Sequence, residues 1–480
     1  MNHYREVRSN HLKDGLLNSV RIIIFIIGIS STLYIAYNVS HPGYDYLYLL
    51  PLIYSILFTY IISPILFKKK NIFLIVFSIY TFVRYIILPT LIVYSNHYDG
   101  RSSIPPLDSS FELAIWLLIY EMIIICTVLY LLFKNCDLNS DIHTRKINGP
   151  NNYFIYIVFI SITFILVLLQ PSTLQSFYFL IPPDGLVNWT EGSLISSIIF
   201  YFLVISKFIV FVLLMSFFYK KYLLTNSKIY ILLSFLVTFM NIFIIFGSNR
   251  ANFIITAVAS MVLFYKLYPK QSRIASIVLV IFIILSVSLI SVHRDHATYT
   301  DGNNQIVDVT NTLQIYMGGP YNVAIATEAA KNNEDARNIM NFGYDMLRST
   351  LGPNLLLQGV DLKSSASYFN ERIYFEEHNT QIIPMIGQGY FFFGFLFSPI
   401  IMISFMIFAR ILINYQYNQA RIELYFFLTI TIIRIGISMG QNGSILMNDT
   451  SFFLLLFIFI YYFNNRIVVK KRSKNSNLNY

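Results

Sequence analysis

A few short stretches carry the side chains that could do chemistry in an otherwise apolar chain of 480 residues. Gly247-Ser248-Asn249-Arg250-Ala251-Asn252 sets a lone arginine on a tight turn between two apolar runs, with no acid near it in sequence. Arginine is always charged and presents five donors in a planar fork, which suits a phosphate or a carboxylate. The other reading of Arg250 is an interfacial cation reaching toward lipid headgroups. His293-Arg294-Asp295-His296 ends a later apolar run. Two histidines and an aspartate invite a metal, but no further ligand pair stands at a recognisable spacing, and no metal site is expected. Arg294 then reads as an anion ligand, or as half of an Arg–Asp pair closing a helix end. In Glu376-Glu377-His378-Asn379, the histidine takes a proton near neutrality, and a neighbouring carboxylate would raise its basicity and orient it. An exposed polar loop is the plainer alternative. Arg434 lies near the end of an apolar run, ahead of Gly440-Gln441-Asn442-Gly443.

These groups matter because of the medium they occupy. The chain is 56% hydrophobic and only 12% charged, with a mean hydropathy of +0.60, whereas soluble domains carry about 25% charged residues. Apolar runs of about 20 residues, enough to cross a bilayer as helix, recur at 22–38, 47–67, 72–94, 111–133, 153–170, 194–219, 229–246, 251–268, 274–292, 387–409, 422–438 and 450–463. The fold class expected is therefore an all-α polytopic membrane protein of about twelve transmembrane helices. Its organisation reads as nine spans with short loops over 1–292, a large external segment over 293–386, three spans over 387–463 and a basic tail over 464–480. Twelve spans put both termini on one side. The termini and loops on that side hold 23 of the 34 lysines and arginines, against eight in the opposite loops. The positive-inside rule makes that side cytoplasmic. The net charge of +10 is thus topological, and no nucleic-acid partner is implied.

An ionisable group inside a span is costly and is a functional candidate by default. Arg84, Glu121 and Lys207 fall within spans; Arg84 and Glu121 are expected to pair with each other as a structural ion pair. Cys126 in the fourth span and Cys136 in the next cytoplasmic loop support no disulfide framework. No cleavable signal peptide is evident, and the first span reads as a signal anchor.

Structureless loops longer than about 15 residues are uncommon unless functional or disordered, so the 293–386 segment should carry its own structure. Gly318-Gly319-Pro320 reads as a break followed by a helix with proline in its first turn. Ala336, Ile339, Met340, Gly343 and Leu347 mark one helical face, and Gly352-Pro353 ends it. Two or three short amphipathic helices are expected, lying over the bundle mouth as a lid. No internal repeat is seen, which weighs against a transporter with two similar halves. Walker and dinucleotide-binding patterns are missing, and the one Gly-x-Ser-x-Gly spelling, Gly436-Ile437-Ser438-Met439-Gly440, ends an apolar run and lacks the strand-to-helix context of a nucleophile elbow, so nucleophilic-serine and nucleotide chemistry have no support.

Taken together, the Gly247-Ser248-x-Arg250 turn, the large late external segment with His378-Asn379 near its end, the Gly387-Gln388-Gly389-Tyr390…Gly394 stretch and the arginine in the following span resemble the Wzy-type O-antigen and capsule polymerases. More distantly they resemble the O-antigen ligases. The matching motifs lie within about 245–445; the first two hundred residues match in hydropathy alone. Arg348 and Gly359 also match an arginine–ten residues–glycine spacing found in some members. The family pattern often has Gly-Glu where this chain has Gly387-Gln388, which puts a catalytic carboxylate at that position in doubt.

The resemblance implies a metal-independent membrane glycosyltransferase without a cofactor. It would polymerise undecaprenyl-diphosphate-linked oligosaccharide repeat units at the periplasmic face of a bacterial inner membrane, alongside a separate chain-length regulator. On this reading Arg250, Arg294 and Arg434 hold the diphosphate, His378 acts as base with Glu376 or Glu377 behind it, and Asn249, Asn379 and Tyr390 contact sugars. An O-antigen ligase-like transferase and a lipid-linked oligosaccharide flippase remain as alternatives.

Overall fold

The computed structural model describes residues 2–69, 71–135, 147–181, 194–247, 250–292, 303–357, 359–374 and 381–467. Among the described residues, apart from two three-residue strands, the regular structure is helical, and seven helices are long and apolar enough to cross a bilayer. These properties are those of an all-α, multi-pass membrane protein. Five further apolar helices among the described residues are shorter, including Phe154–Leu169, Ile229–Phe243 and Met385–Phe397.

The chain divides into two compact units, each described by itself. The first joins residues 1–142, 294–417 and 431–449; the second joins 143–293, 418–430 and 450–480.

In the first unit, α1 (Asn2–Asn38), α2 (Leu49–Lys69), α3 (Ile72–Ser95) and α4 (Asp108–Lys134) are long apolar helices. Around residue 84 the spacing of α3 widens through a π-helical turn, Val83–Ile87, a feature frequent at functional or strained positions. Arg84 and Glu121 form the expected ion pair at 2.8 Å, with both side chains sealed from solvent. Tyr85 Oη donates to Glu121 Oε2 at 3.2 Å.

In the second unit, α5 (Phe154–Leu169), α6 (Leu194–Thr225), α7 (Ile229–Phe243), α8 (Arg250–Leu267) and α9 (Ser272–Val292) follow in order. Strands β1 (Phe177–Phe179) and β2 (Ile244–Phe246) pair antiparallel, with Tyr178 opposite Ile245. A core of Tyr178, Ile242, Phe243, Ile245, Phe253, Ala257 and Leu279 packs around that pair.

The 293–386 segment departs from the expected lid. Helices α10 (Gln305–Met317) and α11 (Pro320–Asn332) meet at Gly318-Gly319, and every residue from Pro320 to Ala330 is buried. α11 packs against α4 and α10 packs against the Leu88–Ser95 part of α3, so this pair enters the bundle. Tyr80 Oη donates to Tyr316 O at 3.1 Å, and Arg84 Nη2 donates to Gly318 O at 3.3 Å. Arg84 lies about 16 Å along the axis from the Ser95 end of α3, so the break lies beside the middle of that helix. Non-helical backbone is tolerated at membrane depth when protein surrounds it and satisfies its polar groups. Gly318, at φ 60, caps α10 in the left-handed region, Gly319 N donates to Gln314 O at 2.8 Å, and Pro320 begins α11 without an orphan donor.

Helices α12 (Ile339–Leu347) and α13 (Ser365–Ile373) complete the segment. The expected apolar face of α12 points outward: Ile339 and Met340 are 74% and 72% exposed, while Asp345 is 1% exposed. A buried carboxylate supplied with donors outweighs the apolar stripe here. The apolar run 387–409 is also two helices, α14 (Met385–Phe397), kinked at Gly394, and α15 (Ile400–Asn418). α16 (Ile422–Gly436) and α17 (Gly443–Arg466) follow.

Candidate functional site

In the first unit, Asp345 is the centre of a buried polar cluster that includes Gln388. Asn338 starts α12 by accepting from Asn341 N with its side chain, and two turns on, the helix presents Asp345 inward. Gln388 Nε2 donates to Asp345 Oδ2 at 2.9 Å, and Ser365 Oγ donates to the same oxygen. Ser444 Oγ reaches Asp345 O at 2.7 Å and Oδ1 at 3.3 Å. Arg348 Nε lies 3.5 Å from Oδ1, one helical turn along. The Gln388 amide is fixed from its other end too, since Gly443 N donates to its Oε1 at 2.7 Å. Three segments distant in sequence, at Ser365, Gln388 and Ser444, therefore converge on one shielded carboxylate through charge-assisted hydrogen bonds, and Arg348 adds its charge from the same helix. A glutamate at 388 would set a second carboxylate against Asp345, which explains why an amide stands there.

Tyr390 sits on the next turn of α14, half-buried. Gly394 adopts φ 71 and ψ −169, a region that only glycine enters without strain. The kink frees the Phe391 carbonyl, and Arg337 Nε donates to it at 3.0 Å. The Arg337 guanidinium carbon also lies 5.9 Å from the centre of the Tyr390 ring, which places a cation over the face of an expected sugar contact.

Arg434, on the last turn of α16, is buried and ion-paired with Asp449. Asp449 lies in α17, which begins at Gly443, the partner of Gln388. Arg434 is thus one helix away from the Asp345 cluster, with its charge already compensated.

In the second unit Arg250 opens α8, and its side chain lies outside the described residues. The turn before it is anchored: Gly247 N donates to Ser176 O at 2.8 Å, and Tyr178 Oη donates to Gly247 O at 3.3 Å. Lys207 Nζ donates to Ile244 O between the rings of Phe208 and Phe246. Asn249, Arg294, Glu376, Glu377, His378 and Asn379 lie outside the described residues, as does Cys136; Cys126 is a buried free thiol.

Besides Asp345, two polar features escaped the sequence reading. The first is the ion pair of Arg372 and Glu328, Nε to Oε2 2.7 Å. It ties α13 to α11, and Arg372 Nη1 reaches Ile104 O at 3.1 Å. The second is a depression of about 300 Å³ between residues 40–42 and 96–99. Its signal was present in His41-Pro42-Gly43 after the first span and Asn96-His97-Tyr98-Asp99 after the third. Burial pushes the pKa of His97 down, against the opposing charges of Asp99 and Asp308. Among the described residues no group of His, Cys, Asp and Glu could hold a metal ion. Compared with protein-family models, curated proteins and solved structures, the chain finds no match in any of the three.

Proposed function

We propose that this chain polymerises undecaprenyl-diphosphate-linked oligosaccharide repeat units at the periplasmic face of the inner membrane, as a metal-independent glycosyltransferase. The observation that carries the reading is that Gln388, from the Gly387-Gln388-Gly389-Tyr390 stretch, is held between Gly443 and Asp345, one helical turn before Arg348. On this reading the carboxylate that the family pattern often places at position 388 is supplied instead by Asp345, hydrogen-bonded to Gln388. Its role is to position, since its oxygens are occupied by donors.

The reaction needs three things from the protein. An acceptor sugar hydroxyl attacks the anomeric carbon of the donor, and His378, oriented by Glu376 or Glu377, takes its proton. The bond from that carbon to the diphosphate breaks, and the lipid diphosphate leaves with the electron pair. Its developing charge requires preorganised cations, the role given to Arg250, Arg294 and Arg434. Arg434 can take part only by exchanging the Asp449 carboxylate for phosphate oxygens. Asn249, Asn379 and Tyr390 contact the sugars, Tyr390 with Arg337 over its ring. Twelve spans, both termini in the cytoplasm, 293–386 on the periplasmic side and a chain-length regulator as partner belong to the same proposal.

One observation favours a second reading. A broken helix pair meeting charged residues near the middle of a long apolar helix, as Gly318-Gly319 meets Arg84 and Glu121, is how many transporters build a substrate site. A lipid-linked oligosaccharide flippase would use that feature. The test is a strain lacking the chain. Lipopolysaccharide bearing one repeat unit is the polymerase result; a bare core points to a ligase or to an earlier step such as flipping.

A further inference from the structure

We propose that the depression bounded by Ser40–Pro42 and Asn96–Asp99 is a saccharide-binding subsite, holding a sugar of the glycan away from the reacting bond. The identity of the glycan rests on the polymerase reading; saccharide binding itself is measured without turnover.

The walls are rigid. Tyr44 Oη donates to Tyr98 O at 2.7 Å, and Ser40 N donates to Tyr98 Oη at 3.3 Å. The His41 ring lies 5.1 Å from that of Tyr98 and edge-on to Phe111. Asn96 closes α3 in the left-handed region, φ 52, which turns its side chain out of the helix line. The site is therefore formed before a ligand arrives, which lowers the ordering cost of binding.

His41, Asn96 and Asp99 keep hydrogen-bonding capacity that suits hydroxyls. His41 Nδ1 lies 2.6 Å from Pro42 O. A carbonyl only accepts, so Nδ1 carries the hydrogen, and in the neutral ring Nε2 offers a lone pair. Asn96 Oδ1 accepts from Ser40 Oγ at 3.3 Å, which leaves the two amide hydrogens. Asp99 Oδ1 has no hydrogen-bond partner among the described residues. Vicinal sugar hydroxyls both donate and accept, and the half-buried His41 ring offers a face for the apolar side of a pyranose.

Competing ligand classes fit less well. The Asp99 carboxylate repels phosphates and carboxylates, and the described residues hold no metal-binding group. The volume of about 300 Å³ lies at the small end of ligand pockets, which run from about 300 to 1,000 Å³. That suits one or two sugar rings. The depression also borders the Asp99–Leu107 loop, which Tyr321 and Arg372 bind to α11 and α13, so a ligand there touches the scaffold of the 303–374 segment.

The test is saturation-transfer NMR on the purified full-length protein in detergent. The probes are the methyl glycosides of glucose, galactose, mannose, rhamnose, N-acetylglucosamine and N-acetylgalactosamine. Saturation should pass to at least one glycoside. It should fall about fivefold in His41→Ala and in Asp99→Asn, the loss of about one hydrogen bond each, and His41→Gln, which keeps an acceptor, should retain most of it. The same glycoside should slow carbethoxylation of His41 in the wild-type protein, a readout needing no variant. No transfer to any glycoside, or transfer equal to wild type in a protein carrying both His41→Ala and Asp99→Asn, overturns the subsite. A protein that binds through His41 and Asp99 but extends no lipid-linked unit keeps the subsite and loses the polymerase reading. One that extends units while binding independently of these residues does the reverse.

Discussion

The Gln388 side chain bridges Asp345 and Gly443, donating 2.9 Å to a carboxylate and accepting 2.7 Å from a backbone amide, with no solvent access. That single amide joins α14 to α12 and to the start of α17. Its replacement by glutamate should place two carboxylates in contact, so that one must hold a proton in the fold.

For Gln388→Glu the folded-state carboxyl pKa is raised by its neighbour. Stability should therefore be lost above the ordinary carboxylate range and recovered as the pH falls and a proton is shared. Gln388→Ala, leaving a buried acceptor with fewer donors, should cost about 1–3 kcal/mol with little pH dependence. Thermal unfolding in detergent across pH 4–8 reads both. An indifferent Gln388→Glu would show that the bridge contributes nothing.

Much of this frame was legible. The long apolar runs predict the seven long helices, because lipid demands length and hydropathy and little else. Arg84 and Glu121 could be paired in advance, since two opposite charges in neighbouring spans have few other partners. The α10–α11 insertion was not legible: α11, Pro320–Asn332, mixes small and polar residues with only a few large apolar ones and is buried by protein instead of lipid, so hydropathy misses it. Gly318-Gly319-Pro320 marked the break but not its depth. The outward apolar face of α12 misled because periodicity gives a face and not its direction. Asp345 could be found only through contacts with residues distant in sequence.

The Arg84–Glu121 pair should behave as a sealed unit. Arg84→Met alone should cost about 3–5 kcal/mol by leaving Glu121 uncompensated, while Arg84→Met with Glu121→Leu should lie much closer to wild type. Fluorescence-detected size exclusion after heating compares the three. A double variant worse than the single one would mean that the charges are required for function or for holding Gly318, beyond neutralising each other.

His97 supplies a pH signature outside the spans. Its folded pKa is lowered by burial, with Asp99 and Asp308 opposing. Its neutral form thus favours the fold above the ordinary histidine pKa of about 6.5, and that stability is lost as the pH falls below it. His97→Gln should flatten the thermal-stability profile between pH 5 and 7. An unchanged acid slope would assign it to another group.

Topology has a direct chemical probe. Leu356 is 85% exposed, between α12 and α13. In a Cys136→Ser background, Leu356→Cys should react with a membrane-impermeant maleimide in intact cells whose outer membrane alone is permeabilised. Labelling only after the inner membrane is broken would put the segment in the cytoplasm and undo the proposed orientation.

The central claim is that arginine, without a metal, stabilises a departing lipid diphosphate. Its most direct test is extension of a defined undecaprenyl-diphosphate-linked repeat unit by purified protein in excess chelator. Wild type should build a ladder, Arg250→Ala should be about 10²–10³-fold slower, and Arg250→Lys should fall between, because charge is kept and the planar fork is lost. A full ladder from well-folded Arg250→Ala, or a wild-type ladder that vanishes with chelator and returns with a divalent cation, would contradict the account.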